Sequence, residues 1–294
     1  MEAKTADMTL GLDPAAMKGF DYDNYDAARL PKLPPEEDRL WYSKFYYRGR
    51  GAVAPEQDAA VAPGRWMDPA KALLPGALDA LMEPGEIEGD LGVCLLPCGA
   101  GYGSIRCALP EVTLDMYKWY KQLRLVDRLS YKIWYPGSHI SELNGVTIED
   151  VGFGAETFHV EPGLDWRALG FSCNPRERDP QFLGLIGGNS WIENENPAVA
   201  QRAMLLFHYI RALPGGGMEF RTHLYTGLFA RNGGWEMVQN IEPSVCLEAT
   251  RRMAAHCVYE RANLGSFLPE LYEKMKDQPL EKPAFVDEGL SLKE

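Results

Sequence analysis

The run "EPSVCLEATRRMAAHCVYERANLG", residues 242–265, is the longest helical pattern in this sequence of 294 residues. Glu242 and Pro243 suit its first turn and Gly265 its end. At three- and four-residue spacing it presents Val245, Ala249, Met253, His256, Glu260 and then Asn263 or Leu264 as one stripe. Such a helix needs a surface to bury that stripe against, and the preceding chain offers one. From about Leu91 onward, short β-prone runs alternate with turn residues: "GVCLLPC", "SIRCALP", "RLSYKIWYP", "TFHVE", "WRALGFSC", "AMLLFHYIRAL" and "MEFRTHLYTGLF". The order predicts an α+β fold in which a mostly antiparallel sheet packs on a long carboxyl-terminal helix. "LPGGG" supplies a hairpin turn between the last two runs, and "TLDMYKWYKQL" reads as a short helix.

The first ninety or so residues are rich in proline, glycine and acidic side chains and read as an irregular arm. Their start lacks a basic, apolar leader, and no stretch approaches the roughly 18 apolar residues of a membrane span. The expectation is therefore a cytoplasmic protein with no membrane partner. Thirty basic side chains against forty-two acidic ones leave a net charge of −12, which repels phosphate backbones and excludes nucleic acid as a natural partner. With six cysteines, reduced thiols are the default.

The polar pair on the helix stripe is the anomaly. A buried, unpaired glutamate costs several kcal/mol or takes up a proton, so Glu260 requires a partner. A metal ion held by His256 and Glu260 would satisfy it, because neutral imidazole and carboxylate oxygen both ligate zinc and its neighbours. The plain alternative is a core histidine with Glu260 turned to solvent or paired with Arg252 or Arg261. Five histidines exist, which confines the search. His139 follows "YKIWYPGS", read as a strand with Tyr131, Ile133 and Tyr135 on one face. His159 and Glu161 alternate in "TFHVEPG", with Glu156 upstream as a rival carboxylate. His208 shares parity with Met204, Leu206 and Ile210, while His223 and Tyr225 share the mixed face of the next strand.

Three segments, "VTLDMYKWYKQLRLVDRLSYKIWYPGSH", "FHVEPG" and "HCVYERANLGSFLPELY", resemble the diacetylphloroglucinol hydrolase and phloretin hydrolase family, over about residues 88 to 275. That resemblance implies a zinc-dependent enzyme cleaving the carbon–carbon bond between an acyl group and a phloroglucinol ring, a hydrolase acting on ketonic substances. It implies one Zn2+ per chain on His139, Glu161, His256 and Glu260, with Glu156 as the other candidate for the third position. It implies a Bet v 1-like helix-grip domain over 88–275, an arm over 1–87 and a tail over 276–294. Tyr131, His208, His223 and Tyr225 become the candidates for hydroxyl recognition and proton transfer to a small phenolic ketone. Glu142 stands where the family pattern leads one to expect a pocket asparagine, which points to phloretin over diacetylphloroglucinol. A homodimer is compatible with all of this, and nothing in the residues requires one.

Two rivals remain at this level. Two histidines and a carboxylate also suit a non-haem iron oxygenase, and helix-grip folds also serve as carriers of hydrophobic ligands. "CLLPCGAGYG" is neither a zinc site nor a dinucleotide fingerprint: a second close cysteine pair is missing, and the glycines lead into a strand rather than a helix. A hairpin is expected there.

Overall fold

A computed structural model describes residues 25–143, 147–151, 155–161, 164–194, 201–231, 234–239, 241–280 and 291–292. Eight strands form one antiparallel path: β1 (Gly92–Leu95), β2 (Gly101–Leu109), β3 (His139–Leu143), β4 (Thr147–Val151), β5 (Ala155–Val160), β6 (Phe182–Asn194), β7 (Gln201–Ala212) and β8 (Met218–Thr226). Their spatial order is β1-β2-β8-β7-β6-β5-β4-β3. A short hairpin of β9 (Leu228–Arg231) with β10 (Gly234–Met237) and a two-residue strand β11 (Ser291–Leu292) on β6 complete the β structure of the described residues.

The expected hairpins are present. β1 and β2 pair antiparallel through a turn at Gly99 (φ 91°), where Leu96 N–H donates to Ala100 O. The glycines of "GAGYG" also serve packing: a Cβ at Gly101 would collide with Thr250 on the terminal helix, and one at Gly103 would press on Leu224. Between β7 and β8 the chain turns at Gly216 and Gly217, both at positive φ.

Among its described residues the arm contributes only short helices: α1 (Pro35–Asp38), α2 (Ser43–Tyr47) and α3 (Pro55–Ala60), with 3-10 turns before and after them. α4 (Leu114–Arg124) matches the expected short helix, and the brief α6 (Trp166–Leu169) and α7 (Pro175–Arg178) precede β6. The terminal helix α8 runs Pro243–Met275, with Pro243 in its first turn and Glu242 accepting from Val245 N–H at 3.0 Å.

Three local expectations are corrected. "RLSYKIW" is a helix, α5 (Arg128–Trp134), because Asp127 caps it by accepting Ser130 N–H at 2.9 Å and because its side chains are buried on all sides, which removes any alternating strand face. "WRALGFSC" contains α6 rather than a strand, capped by Asp165. Gly265 does not end α8. Burial of Phe267, Leu268 and Leu271 against Phe45 and Tyr120 of the arm and α4 outweighs the roughly 1 kcal/mol that a mid-helix glycine costs.

The sheet is covered on both faces. Even-numbered positions of β8 (Phe220, Leu224, Thr226) face α8, where Thr226 Oγ1 meets Thr250 Oγ1 at 2.8 Å. Odd-numbered ones (His223, Tyr225) pack with Tyr102 and Phe207 under arm residues Leu73, Leu78 and Leu81. Among the described residues, no helix is long and apolar enough to cross a membrane.

Candidate metal centre

α5 ends in the turn Tyr135-Pro136-Gly137-Ser138, where His139 N–H donates back to Tyr135 O at 3.1 Å and Gly137 takes φ 87°. The turn delivers His139 to the start of β3, against α8. The two elements are clamped there: Asn263 Nδ2 donates to the carbonyls of Ile133 (2.7 Å) and Trp134 (3.0 Å), which a helix end leaves without partners. Asn263 lies one turn beyond Glu260, so the clamp fixes the approach of His139 to His256 and Glu260.

Those three side chains converge. His139 Nε2 and His256 Nε2 are 3.1 Å apart, and each lies 3.5 Å from Glu260 Oε2. All three residues are buried, and they form the only group of three or more potential metal ligands among the described residues. The ring orientations have evident causes. His139 Nδ1 lies 3.1 Å from the Tyr131 carbonyl, which can only accept, so Nδ1 carries the proton and Nε2 turns a lone pair inward. The Tyr131 ring stacks on the same imidazole at 4.1 Å. His256 Nδ1 lies 3.4 Å from Ser138 Oγ, and Tyr135 stands edge-on to His256. Burial alone would raise the Glu260 carboxyl, but Arg261 and the two imidazoles hold it well below the usual carboxylate range.

The remaining sequence candidates are distributed differently. Glu161 is exposed and outside the group; its Oε2 accepts from Asn189 Nδ2 at 3.3 Å and its N–H donates to Asn189 O. Glu156 occupies the register row His139–Asp150–Glu156 across β3, β4 and β5, and its side chain lies outside the described residues. His159 is exposed beside Glu193. His208 is on the α8 side but fully engaged: Arg261 Nη2 donates to Nε2 at 3.1 Å, so Nδ1 is the protonated nitrogen and donates to Thr222 Oγ1 at 2.8 Å. Burial, and then Arg261, push its pKa well below the ordinary histidine value. It therefore holds Arg261 through one nitrogen and commits the proton on the other to Thr222. His223 and Tyr225 lie on the other face of the sheet, away from α8. Tyr225 Oη donates to Leu73 O at 2.6 Å, and His223 Nδ1 meets Tyr102 Oη at 3.3 Å. Strand alternation separates them from the metal ligands by the thickness of the sheet.

Glu142 forms a buried ion pair with Arg124 Nη1 at 2.6 Å, and the Arg124 guanidinium lies 4.3 Å from the Trp134 ring centroid. Its charge is thus matched within the protein. Of the further residues at the centre, Asn263 continues the helix stripe and Arg261 meets the expectation of a pair with Glu260, at 3.1 Å, whereas Ser138 carries no signal in the sequence.

Comparison with known proteins fits this geometry. The family model described as "DAPG hydrolase PhiG domain" matches residues 74–147 and 144–273, which contain α4, α5, every strand from β1 to β10 and nearly all of α8. The chain belongs to that family. One curated DAPG hydrolase relative, "2,4-diacetylphloroglucinol hydrolase" from Pseudomonas sp, is 24% identical over 225 residues, covering 67% of this chain and 75% of the relative. The His139–His256–Glu260 group therefore lies inside the DAPG hydrolase domain, and membership of that family supports a hydrolase.

Proposed function

We propose that this protein is a zinc-dependent hydrolase that cuts the carbon–carbon bond between an acyl group and a phloroglucinol-type ring, with phloretin as the preferred substrate. The observation that carries this is the buried His139–His256–Glu260 group inside a DAPG hydrolase domain. Its donor set fits a cation. With His139 Nδ1 protonated, the Nε2 lone pair points inward, and edges of 3.1–3.5 Å suit ligands each about 2.0–2.2 Å from one central ion. The name of the Pseudomonas relative supports the ring class. Tyr131, Trp134 and Tyr135, all buried around His139, support a substrate with a second aromatic ring. The antiparallel sheet against α8 supports a Bet v 1-like helix grip, and we place the protein in the cytoplasm.

Zinc held by these three residues, with Glu156 or Glu161 as a fourth ligand, would supply Lewis-acid charge and a nucleophile at neutral pH. The chain's own part is orientation. Tyr131 and Ser138 fix the two imidazoles, Asn263 holds α5 on α8, and the surrounding aromatic side chains exclude bulk water. In the ring-ketone tautomer, the oxygen of water joins the acyl carbon and the bond from that carbon to the ring breaks. The electron pair passes into the ring as an enolate. The ring carbon already bears the hydrogen it gained on tautomerisation, so a proton returned to the enolate oxygen gives the phenol, and the acyl group leaves as a carboxylic acid.

The test is metal analysis of freshly purified protein, with product analysis on phloretin and diacetylphloroglucinol. Stoichiometric zinc with phloroglucinol as product is expected. Turnover that consumes oxygen would instead establish the iron oxygenase that two histidines and one carboxylate also suit, and metal-free protein that only binds phenols would establish a carrier.

A further inference from the structure

Beside the metal group stands a guanidinium whose bonding is incomplete. Arg261 is buried, and its Nη2 is used twice, 3.1 Å from Glu260 Oε1 and 3.1 Å from His208 Nε2. Its Nε and Nη1 meet no hydrogen-bond acceptor among the described residues. The guanidinium is fixed between two rings, with its carbon 4.4 Å from the Phe220 centroid and 4.9 Å from that of Trp134. The indole Nε1 of Trp134 is buried and likewise without an acceptor. Three buried donors with nothing to donate to are costly unless an acceptor arrives.

The charges say what kind of acceptor. Arg124 and Glu142 neutralise each other. The one carboxylate on Arg261 is Glu260, which points its other oxygen at the two imidazoles. Glu260 divides its charge between Arg261 and the two imidazoles, so the positive charge of Arg261 is only partly balanced by its neighbour. A buried guanidinium with excess positive charge and N–H groups lacking acceptors favours an anionic oxygen over a neutral hydroxyl.

We propose that Arg261, assisted by Trp134, binds an anionic oxygen of the ligand, a phenolate or ring enolate, beside the His139–His256–Glu260 group. His208 is the positioning residue: as a neutral acceptor it holds Nη2 and so leaves Nε and Nη1 for the ligand. This rests on the proposed action on acylphenols, and it assigns the group that would favour ionisation of the ring and receive its charge as the acyl bond breaks.

The probe is 4-nitrophenol, whose visible absorbance reports its ionisation directly. It is titrated with the full chain at fixed pH, after chelation and again with one equivalent of zinc. In the chelated wild type, binding is expected to raise the phenolate-to-phenol ratio about tenfold. Arg261→Gln should abolish that shift, Arg261→Lys should leave a small part of it, and Trp134→Phe should reduce it about threefold. If Arg261→Gln does not fold, as judged by circular dichroism, Trp134→Phe and Arg261→Lys decide. Neutral binding by wild type, or an equal shift in wild type and variants, overturns the assignment. Zinc content, measured on the same samples, tests the metal centre independently: loss of zinc with an intact phenolate shift refutes the proposed hydrolase and leaves the Arg261 site standing.

Discussion

Tyr131 fixes His139 twice: its carbonyl lies 3.1 Å from Nδ1 and its ring lies on the imidazole with only 4° between the planes. The first contact belongs to the backbone and survives any substitution. Tyr131→Phe should therefore keep zinc at the wild-type level while losing rate, on the order of tenfold to ten-thousandfold if the hydroxyl handles a ring proton. A variant with unchanged kcat would remove the hydroxyl from the chemistry.

Removing a ligand acts differently. His256→Ala and Glu260→Ala should lose zinc and activity together, whereas Ser138→Ala should weaken zinc roughly 10- to 100-fold through a less well-oriented His256. Competition with a chromogenic chelator gives these affinities, and full zinc occupancy in Glu260→Ala would refute the centre.

The fourth ligand can be decided by comparison. Glu156 shares a register row with His139, while Glu161 is exposed on Asn189. Glu156→Ala is expected to lower zinc affinity and Glu161→Ala to leave it near wild type. The reverse result would mean that Glu161 turns inward when metal binds.

Asn263→Ala strips two buried carbonyls of α5 of their donor. A loss of about 1–3 kcal/mol in unfolding free energy is expected for each unsatisfied group, with weaker zinc binding because His139 sits on the loosened turn. Chemical denaturation with and without zinc should separate the effects. A destabilised variant of normal zinc affinity would show that the clamp does not position the ligands.

Stability should also fall in mild acid. Burial, then Arg221, push the His223 pKa down from 6.5 to about 3. Below 6.5 the unfolded chain binds a proton that the folded chain refuses. This contribution is complete above pH 6.5 and is lost at up to about 1.4 kcal/mol per pH unit as pH falls toward 3. Urea midpoints for wild type and His223→Phe between pH 7 and 4 should diverge, with the variant less sensitive. Parallel curves would show that His223 is protonated without unfolding.

A helix is a local object, so α8, its capped start and the inward turn of His256 and Glu260 were all legible in residues 242–265, and hairpins with glycine turns were nearly as plain. Contacts between distant segments were not. Both faces of β8 carry large buried side chains, so its alternation could not show which face meets α8, nor that His223 and Tyr225 lie on the face away from it. α5 imitated a strand because every side of it is buried, which hides the 3.6-residue period. The meeting of Asn263 with the end of α5, and of Arg261 with His208, depends on how α8 lies across the sheet. Spacing along the chain specifies which side chains share a face; only packing decides what that face encounters.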